Sequence, residues 1–416
     1  MKERAARIGI IGAGASGLMA SCYASGNGNK VLLFEKQQKI ARKILASGNG
    51  RCNISNRSIS SNFAEHYHGE NPAFVNNVFS RFGVEETESF FLGIGLPFVE
   101  ENDGKLFPAS LQAASVAKIF QYEIKSRGVE LYLDYNIQSV KRDGDGFIVK
   151  TSMAEERLDS LVLAAGSCAA PDLGGSNSGY DLAKSLGHRI VKPRPVILPI
   201  NIPLKMLHRL QGIKHDVALK VKVGSNVLAT SQGELLFTAY GISGPATLLI
   251  SRAVNDALSQ KKQPVIEIDL FPSMKHEELA NYLNTVWADE NKKFAFSLLG
   301  VLKEHMCEVF AMMADIDPNA RLVSVGKDAR NKFVNLVKAL RIEPGEPRSF
   351  KEAVAATGGV AVDEINASTM ESKIVKNLFI TGELLDIDGD SGGYNLQFAW
   401  SSGALAGLVQ HIKTSS

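Results

Sequence analysis

One short pattern near the amino terminus constrains the fold of this 416-residue chain more than any other feature. The apolar run Ile8–Ile11 leads into Gly12-Ala13-Gly14-Ala15-Ser16-Gly17, and a second apolar run, Val31–Phe34, ends at Glu35. A strand, a tight glycine turn, a helix and a second strand that ends in an acid form the βαβ unit that holds a dinucleotide. The pattern therefore predicts an α/β chain that begins with a Rossmann-like domain.

The turn and the acid have distinct roles in such a unit. The first glycine permits the turn, the second lets the backbone approach a pyrophosphate, and the third lets the helix pack against the strand. The helix amides then face phosphate oxygens. Glu35 is expected to accept hydrogen bonds from ribose hydroxyls and to disfavour a dinucleotide with a 2′-phosphate. The cofactor-binding candidates in this unit are Gly12, Gly14, Ala15, Ser16, Gly17 and Glu35.

Composition is that of an ordinary globular protein of two or three domains, with 45% hydrophobic and 22% charged residues. No apolar stretch reaches the roughly 20 residues of a membrane span, so no membrane association is expected. A formal net charge of +2 gives no overall attraction to nucleic acid, and none is expected as a partner. The four cysteines are scattered without a CxxC pair, which argues against a metal centre and fits a cytoplasmic protein.

A basic segment follows the βαβ unit. Residues 36–57 include several Lys and Arg but no Asp or Glu, and the centre of the segment is rich in Gly, Asn and Ser, which favour turns. Backbone amides and cations suit phosphate and flavin oxygens, so contact with the cofactor is preferred to a solvated basic loop. The candidates are Lys36, Arg42, Lys43, Ser47, Gly48, Asn49, Gly50, Arg51, Cys52 and Asn53.

Patterns further along the chain predict the domain organisation. A helix over 110–127, a hairpin with strands 137–141 and 147–151, and a buried strand over 160–164 extend the first domain. Ala165 and Gly166 follow that strand and are further cofactor candidates. Prolines and alternating segments then predict an antiparallel β insertion, before a mostly helical stretch. We expect a discontinuous cofactor domain over 1–190 and 341–416, a β-rich insertion over 191–275 and a helical subdomain over 276–340.

The carboxyl-terminal region supplies a second glycine-rich half-site. The buried strand Leu378–Ile380 is followed by Gly382 and Glu383, and the pair Gly392-Gly393 precedes a final helix. The positive end of that helix dipole suits the negative charge on the N1–C2=O side of a reduced flavin. NAD-binding domains seldom need such a second loop, so the expected cofactor is FAD. The further candidates are Gly392, Gly393, Tyr394, Asn395 and Leu396.

These motifs resemble those of the bacterial aminoacetone-oxidase-like flavoproteins, which are grouped with bile-acid-reductase-like NAD(P)/FAD-dependent oxidoreductases. The resemblance covers nearly all of the chain. Ala239-Tyr240 departs from the His-Tyr or similar pair that is frequent in the family. The motifs that support the resemblance are residues 10–17, 42–53, 237–238 with 241–245, and 382–386 with 392–397.

The resemblance implies a glutathione-reductase-like FAD domain, a β-barrel-like insertion and a small helical region. It implies an adenine-side contact near Val140. The other contacts that it implies are at Ala15, Glu35, Arg42, Lys43, Asn53, Gly382, Glu383, Asn395 and Leu396.

The predicted function is an FAD-dependent oxidoreductase that transfers a hydride between flavin N5 and a small organic substrate or NAD(P)H. Two alternatives are a tRNA-modifying flavoprotein, which would need a broad basic surface, and a non-catalytic, FAD-carrying redox sensor. NAD(P)H is a candidate co-substrate and a homodimer a candidate assembly. The substrate is expected in a crevice between the FAD domain and the insertion.

The sequence assigns no catalytic residue. Tyr394 and His188 are candidates by residue type alone. A lone histidine is more often structural, and Cys52 is expected to be a buried, inert thiol rather than a redox partner of the flavin.

Overall fold

The structure, a computed structural model, describes residues 5–26, 28–60 and 63–413. Its strands are β1 (Arg7–Ile11), β2 (Lys30–Phe34), β3 (Ser55–Asn56), β4 (Tyr67–His68), β5 (Phe98–Glu101), β6 (Lys105–Pro108), β7 (Glu130–Tyr132), β8 (Ile137–Asp143), β9 (Gly146–Thr151), β10 (Glu155–Leu158), β11 (Ser160–Leu163), β12 (Ile190–Val196), β13 (Ile200–Asn201), β14 (Lys214–Val223), β15 (Asn226–Thr238), β16 (Gly241–Ser243), β17 (Val265–Asp269), β18 (Leu340–Ile342), β19 (Ala355–Val360), β20 (Leu378–Ile380) and β21 (Asp388–Gly389). Its helices are α1 (Ala15–Ala24), α2 (Arg42–Ala46), α3 (Phe74–Phe79), α4 (Val84–Gly93), α5 (Ala113–Ser126), α6 (Ser178–Ser185), α7 (Lys205–His208), α8 (Pro245–Ser259), α9 (His276–Val286), α10 (Phe294–Ser297), α11 (Glu304–Met313), α12 (Lys327–Lys338) and α13 (Tyr394–Lys413).

The chain divides into two compact units, Met1–Pro195 with Val354–Ser416, and Val196–Ala353. The first unit is built on a five-stranded sheet in the order β20-β11-β1-β2-β7, and every pairing in it is parallel. The inner strands are continuous apolar runs because helices cover both faces of such a sheet. The order and direction of these strands confirm the predicted Rossmann-like domain.

Helix α13 packs closely on α1 in the first unit. A Cβ at Gly403 would lie 2.2 Å from the Ser16 carbonyl oxygen, and one at Gly407 would lie 2.6 Å from that of Ala20. Only glycine at these positions lets the two helix backbones approach so closely. The last helix of the chain is thereby held against the helix of the dinucleotide motif.

The second unit contains a six-stranded antiparallel sheet in the order β13-β16-β15-β14-β17-β18. This sheet and helices α9 to α12 share one hydrophobic core, in which Trp287 stacks on Phe294 and meets the edge of Phe333. A sheet that buries one face needs such a covering layer. The antiparallel β insertion is confirmed, and the helices of 276–340 belong to the same compact unit as the sheet.

The return to the first unit comes later than the sequence predicts. The predicted boundary at residue 341 falls inside β18, which pairs with β17 and so extends the sheet of the insertion. The structure places the return at Val354. Among the described residues, no helix is both long enough and apolar enough to cross a membrane.

Candidate cofactor site

The glycine turn lies where three parallel strands end. Gly12 has φ of +105°, and its N–H donates to the carbonyl oxygen of Phe34 at 2.8 Å. A Cβ on Gly12 would lie 2.4 Å from the carbonyl oxygen of Ala164, so the turn accepts no larger residue. A Cβ on Gly17 would lie 1.9 Å from the Gly12 carbonyl oxygen, which is the close helix–strand packing that the motif predicts.

A cleft opens at this edge of the first unit, with about 1340 Å³ of empty space when its solvent-filled mouth is included. Ligands of parallel sheets bind at the carboxyl ends of the strands, which is where this cleft lies. The structure brings together in its lining these predicted residues: Gly12, Gly14, Ala15, Ser16, Glu35, Lys36, Arg42, Lys43, Ser47, Ala165, Gly166, Glu383, Asn395 and Leu396.

Glu35, directly after β2, is fixed by backbone groups. Its Oε2 accepts the N–H of Ala13 at 2.8 Å, and its Oε1 accepts the N–H of Gln37 at 2.9 Å. A carboxylate offers about four acceptor positions, so both oxygens can accept a further hydrogen bond. These two hydrogen bonds fix the carboxylate in the lining of the cleft, where it remains an acceptor for hydroxyl donors.

Cations dominate the same wall of the cleft. Arg42 donates from Nη1 to Gln37 Oε1 at 2.6 Å and from Nη2 to the Asp172 carbonyl oxygen at 2.8 Å. Lys36 donates to Ser176 Oγ at 2.5 Å, and burial lowers the pKa of its ammonium group. Neither cation is neutralised by a carboxylate in these contacts, which favours an anionic ligand such as a pyrophosphate.

An ion pair connects the two sequence half-sites. Lys43 Nζ lies 2.8 Å from Glu383 Oε2 and 3.4 Å from Ser167 Oγ. Glu383 also accepts the Ala356 N–H at 3.4 Å. The basic segment and the carboxyl-terminal motif therefore meet in one partly buried contact.

Asn395 joins the start of α13 to the preceding loop through two hydrogen bonds with Gly389. Its Oδ1 accepts the Gly389 N–H at 2.9 Å, and its Nδ2 donates to the Gly389 carbonyl oxygen at 2.7 Å. Tyr67 Oη donates to the Tyr394 carbonyl oxygen at 2.9 Å. These contacts fix the glycine loop and point the first turn of α13, through Asn395 and Leu396, into the cleft lining.

Other predicted residues lie around the cleft rather than in its lining. In the turn of residues 48–53, Arg51 pairs with Glu101 at 2.7 Å and covers the Phe107 ring, while Cys52 is fully buried. Asn53 lies next to Gly393, where a Cβ would be 2.9 Å from Asn53 Oδ1. The candidates outside the lining are Gly17, Gly48, Asn49, Gly50, Arg51, Cys52, Asn53, Val140, Gly382, Gly392, Gly393 and Tyr394.

Val140, near which the resemblance implies an adenine-side contact, lies outside the lining of the cleft. It lies in the middle of β8, paired with Val149, and only 5% of it is exposed. Asn136 and Ile137, at the start of that strand, line the cleft instead. The start of β8 therefore reaches the cleft, and its middle does not.

His188, a catalytic candidate by residue type, has a structural environment. Its Nδ1 lies 2.8 Å from Glu364 Oε2 and its Nε2 lies 3.0 Å from Ser372 Oγ. The side chain is fully buried, and burial lowers its pKa. With both ring nitrogens engaged, His188 has no free position for proton exchange with a ligand.

Sequence reasoning missed a second glycine loop. Gly174 and Gly175, together with Ser178 at the start of α6, line the cleft. The signal was present, since Gly174-Gly175-Ser176 directly precedes a helix. A glycine-rich lead into a helix amino terminus is the feature that identified the other two half-sites.

The residues present fit an FAD. The cleft has an acidic group for the ribose, cations for the pyrophosphate and a helix amino terminus from the far end of the chain. The buried Asn53 Oδ1 has no hydrogen-bond partner among the described residues, so it offers an acceptor to a ring N–H of a flavin. Over the same part of the chain, no group of three or more His, Cys, Asp and Glu is arranged to hold a metal ion.

We expect Glu35→Gln to weaken FAD binding about tenfold, or about 1.4 kcal/mol. A carboxamide has only one acceptor oxygen, so the NH₂ group of the introduced glutamine would face one of the two backbone N–H donors. That side of the side chain could also no longer accept a hydrogen bond from the ribose. Titration of apoprotein with FAD, followed by flavin fluorescence, measures the change. Glu130→Gln is the matched control, because Glu130 on β7 forms an exposed ion pair with Lys30. Equal affinity of both variants would contradict the assigned role of Glu35.

We expect the native protein to react negligibly with a thiol reagent at pH 8, whereas the unfolded chain exposes four thiols. All four cysteines are free and buried. Burial raises the pKa of Cys22 and of Cys52 to about 12 and that of Cys307 to about 11. Thiolates, the reactive form, are therefore scarce at that pH. A rapidly reacting native thiol that mass spectrometry assigns to Cys52 would contradict its expected inertness.

The family described as "HI0933-like protein Rossmann domain" matches residues 6–409. The chain belongs to this family. A relative from Clostridium scindens, described as a 3-dehydro-bile acid delta(4,6)-reductase, is 33% identical over 96% of this HI0933-like chain and 98% of its own length. Ribosomal RNA dihydrouridine synthases of Haemophilus influenzae and Escherichia coli are each 29% identical over 94% of the chain and 95% of their own.

Solved structures agree on the fold. The 3-ketosteroid delta1-dehydrogenase of Sterolibacterium denitrificans superposes with a TM-score of 0.51, at 11% identity, over 98% of this chain and 99% of that one. The predicted fold class is confirmed. The HI0933-like protein is an FAD-dependent oxidoreductase at the level of class, as the sequence predicts.

Proposed function

We propose that this protein is a reductase that uses FAD to add hydrogen across a carbon–carbon double bond conjugated to a carbonyl group in a small organic substrate, with NAD(P)H as electron donor. The observation that carries the proposal is the cleft, where Glu35, the cations and the start of α13 converge on one site. FAD, when bound, supplies two-electron hydride chemistry that the side chains cannot.

The residues of the chain act as binding and orienting groups in this proposal. Glu35 holds the ribose, and Lys36 and Arg42 offset the charge of the pyrophosphate. Lys43 and Glu383 connect the two halves of the cleft through their ion pair. The amino terminus of α13 stabilises negative charge at the far end of the ligand through its dipole.

The names of the relatives support the substrate class. A delta(4,6)-reductase removes carbon–carbon double bonds, and dihydrouridine is uridine with hydrogen added across one such bond. Both names thus describe the same kind of hydrogenation on very different molecules. The more similar relative by identity acts on a bile acid, which favours a small, apolar, polycyclic substrate.

Reduction of a uridine in RNA is the second candidate, and the two ribosomal RNA dihydrouridine synthases favour it. The formal net charge of +2 opposes it, because RNA-binding proteins neutralise several phosphates with Lys and Arg. Binding of ribosomal RNA fragments at increasing salt separates the two candidates. A steep fall of affinity with salt supports RNA, and no binding at low salt supports the small substrate.

The test of the proposed function is anaerobic stopped-flow absorbance of the FAD-loaded protein mixed with NADH and, separately, with NADPH. We expect rapid bleaching of the flavin band by one of them, followed by re-oxidation by a 3-oxo-4,6-diene bile acid. Absence of bleaching with both would contradict the reductase and leave an amine or amino-ketone oxidase of the aminoacetone-oxidase type to be tested. A protein that takes up no FAD would contradict both.

A further inference from the structure

Three side chains from distant parts of the chain form a buried, hydrogen-bonded row in the first unit. His188 lies in the turn between α6 and β12, and its Nδ1 is 2.8 Å from Glu364 Oε2. Its Nε2 is 3.0 Å from Ser372 Oγ. The ring of His188 is fully buried, and Ser372 is only 7% exposed. The row has the serine–histidine–acid order of a hydrolase triad, so the positions of its protons decide what it can do.

The hydroxyl group of Ser372 is oriented by its own backbone. Its Oγ accepts the N–H of Ile374 at 3.0 Å and that of Val375 at 2.8 Å. A hydroxyl has one hydrogen to donate and two positions that accept. Because both acceptor positions are taken, the hydrogen is donated to Nε2 of His188. Ser372 thus retains no lone pair for attack on a substrate, and the row is not a nucleophilic site.

The imidazole is neutral in this arrangement. Its Nε2 accepts from Ser372, so the one ring hydrogen lies on Nδ1 and is donated to Glu364. Burial lowers the pKa of His188 and outweighs the opposite effect of Glu364. Among the described residues, Glu364 is the charged group that acts on the ring. The other charged groups around the row, which are engaged with one another, are Glu70, Arg189, Asp363 and Lys373.

A second proton on the ring would break the contact with Ser372. The Nε2–H group would then be a donor that faces another donor. An imidazolium could donate to Ser372 Oγ only if that oxygen gave up the N–H of Ile374 or Val375. A buried donor left without a partner is destabilising. Protonation of His188 is therefore coupled to separation of the ring from the segment that begins at Ser372.

Both segments that the row joins lead into the cleft. The N–H of Ser372 donates to the carbonyl oxygen of Leu378 at 2.7 Å, directly at the start of β20. Glu383, three residues after β20, lines the cleft. On the other side, Leu182 in α6 lines the cleft, and His188 follows that helix by three residues. Separation of the row therefore weakens the support of two parts of the cleft lining.

We propose that Glu364, His188 and Ser372 form an acid-sensitive latch of the cofactor site. With a neutral ring, the latch holds residues 372–377 against the turn that follows α6. Protonation of His188 opens the latch, frees these residues and lowers the affinity of the cleft for FAD. The latch depends on FAD as the ligand of the cleft but not on the proposed substrate or electron donor.

The direction of the pH dependence follows from the environment of the ring. An imidazole in the unfolded chain has a pKa of about 6.5. Because the pKa of His188 is lower in the folded protein, the unfolded chain binds the proton first as the pH falls. The contribution of the neutral ring to stability is therefore complete above about pH 6.5 and declines between that pH and the lower pKa of the folded ring. The affinity for FAD falls in the lower part of this window, where the folded ring itself takes up the proton.

The test combines two measurements between about pH 7.5 and about pH 5, the range in which imidazoles titrate. Apoprotein is titrated with FAD by flavin fluorescence, and hydrogen exchange of the FAD-loaded protein is followed by mass spectrometry. We expect about tenfold weaker binding of FAD at the lower pH. We also expect faster exchange in residues 372–377, after correction for the intrinsic effect of pH, and unchanged exchange in α9 of the second unit. Unchanged exchange in residues 372–377 would overturn the latch.

Glu364→Gln separates the latch from a general sensitivity to acid. The amide oxygen can still accept from His188 Nδ1 and from the Arg189 N–H, which Glu364 Oε2 accepts at 3.1 Å. Loss of the carboxylate charge lowers the pKa of the ring, so we expect the loss of FAD affinity to occur about one pH unit lower. Glu123→Gln, which removes a carboxylate from an ion pair with Arg127, is the matched control and should behave as wild type.

The possible outcomes separate the latch from the proposed function. If Glu364→Gln lost FAD at the same pH as the wild type, the latch would be wrong and the cofactor site would stand. If the variant failed to fold, hydrogen exchange of the wild-type protein would decide. A protein that bound no FAD at any pH would overturn the latch together with the proposed function.

Discussion

Gly14→Ala is expected to fold like the wild type and to bind FAD at least about 100-fold more weakly, a loss of about 2.7 kcal/mol. A Cβ at Gly14 would meet no protein atom within 4 Å, and its φ of −82° suits alanine, so the apoprotein has no reason to be destabilised. The same open space is where the backbone of the turn approaches a pyrophosphate. The methyl group therefore competes with the cofactor alone.

The measurement pairs FAD titration of the apoprotein with urea unfolding of the same sample. Gly93→Ala, at the end of α4, is the matched control, since its Cβ also meets nothing within 4 Å but lies outside the cleft lining. Gly17→Ala is the opposite case, because its Cβ would lie 1.9 Å from a backbone oxygen, and it should fail to fold. Undiminished FAD affinity in Gly14→Ala would remove the turn from the cofactor site.

Trp400→Ala is expected to lower the free energy of unfolding of the first unit by about 3–5 kcal/mol, as large core truncations do. The indole is fully buried, stacks on Phe120 at 5.5 Å and meets the edge of Phe91 at 5.2 Å. Its Nε1–H donates to the Ile54 carbonyl oxygen at 3.0 Å. The substitution opens a cavity and leaves that buried oxygen without its donor.

Urea unfolding followed by circular dichroism measures this loss. Tyr122→Ala, on the same helix as Phe120 but 68% exposed, should change the free energy by no more than about 0.5 kcal/mol. Trp400→Phe keeps one aromatic ring but loses the N–H donor and the second ring of the indole, so its loss of unfolding free energy should be smaller than that of Trp400→Ala. The chain has two tryptophans, so fluorescence of Trp400→Ala reports Trp287 in the second unit alone. If Tyr122→Ala lowered the free energy of unfolding as much as Trp400→Ala, the loss could not be assigned to the core contacts of Trp400.

Local patterns predicted much of the fold. The strands β1, β2, β11 and β20 are short, mainly apolar runs, and α5 has clear helical spacing, so each is visible in its own segment. The spacing between the glycine turn and Glu35 is fixed by the motif, and the structure places both in the lining of the cleft.

Contacts between residues far apart in the sequence could not be predicted from such local patterns. His188 and Ser372 are 184 positions apart, and neither has a neighbour in sequence that indicates the other. Val140 was assigned through the resemblance, and no local pattern indicated that Asn136 and Ile137, at the start of the same strand, line the cleft. The boundary at 341 was misplaced because β18 is a three-residue strand that only its pairing with β17 identifies.

The contact of α13 with α1 has a consequence for biosynthesis. On the ribosome, the glycine turn and the basic segment are made long before Asn395 and Leu396, which line the same cleft. Gly403 and Gly407 can dock on α1 only after the whole final helix has been made. The cleft is therefore completed only once α13 has been made, and a chain arrested before residue 394 presents an unfinished cleft to chaperones and proteases.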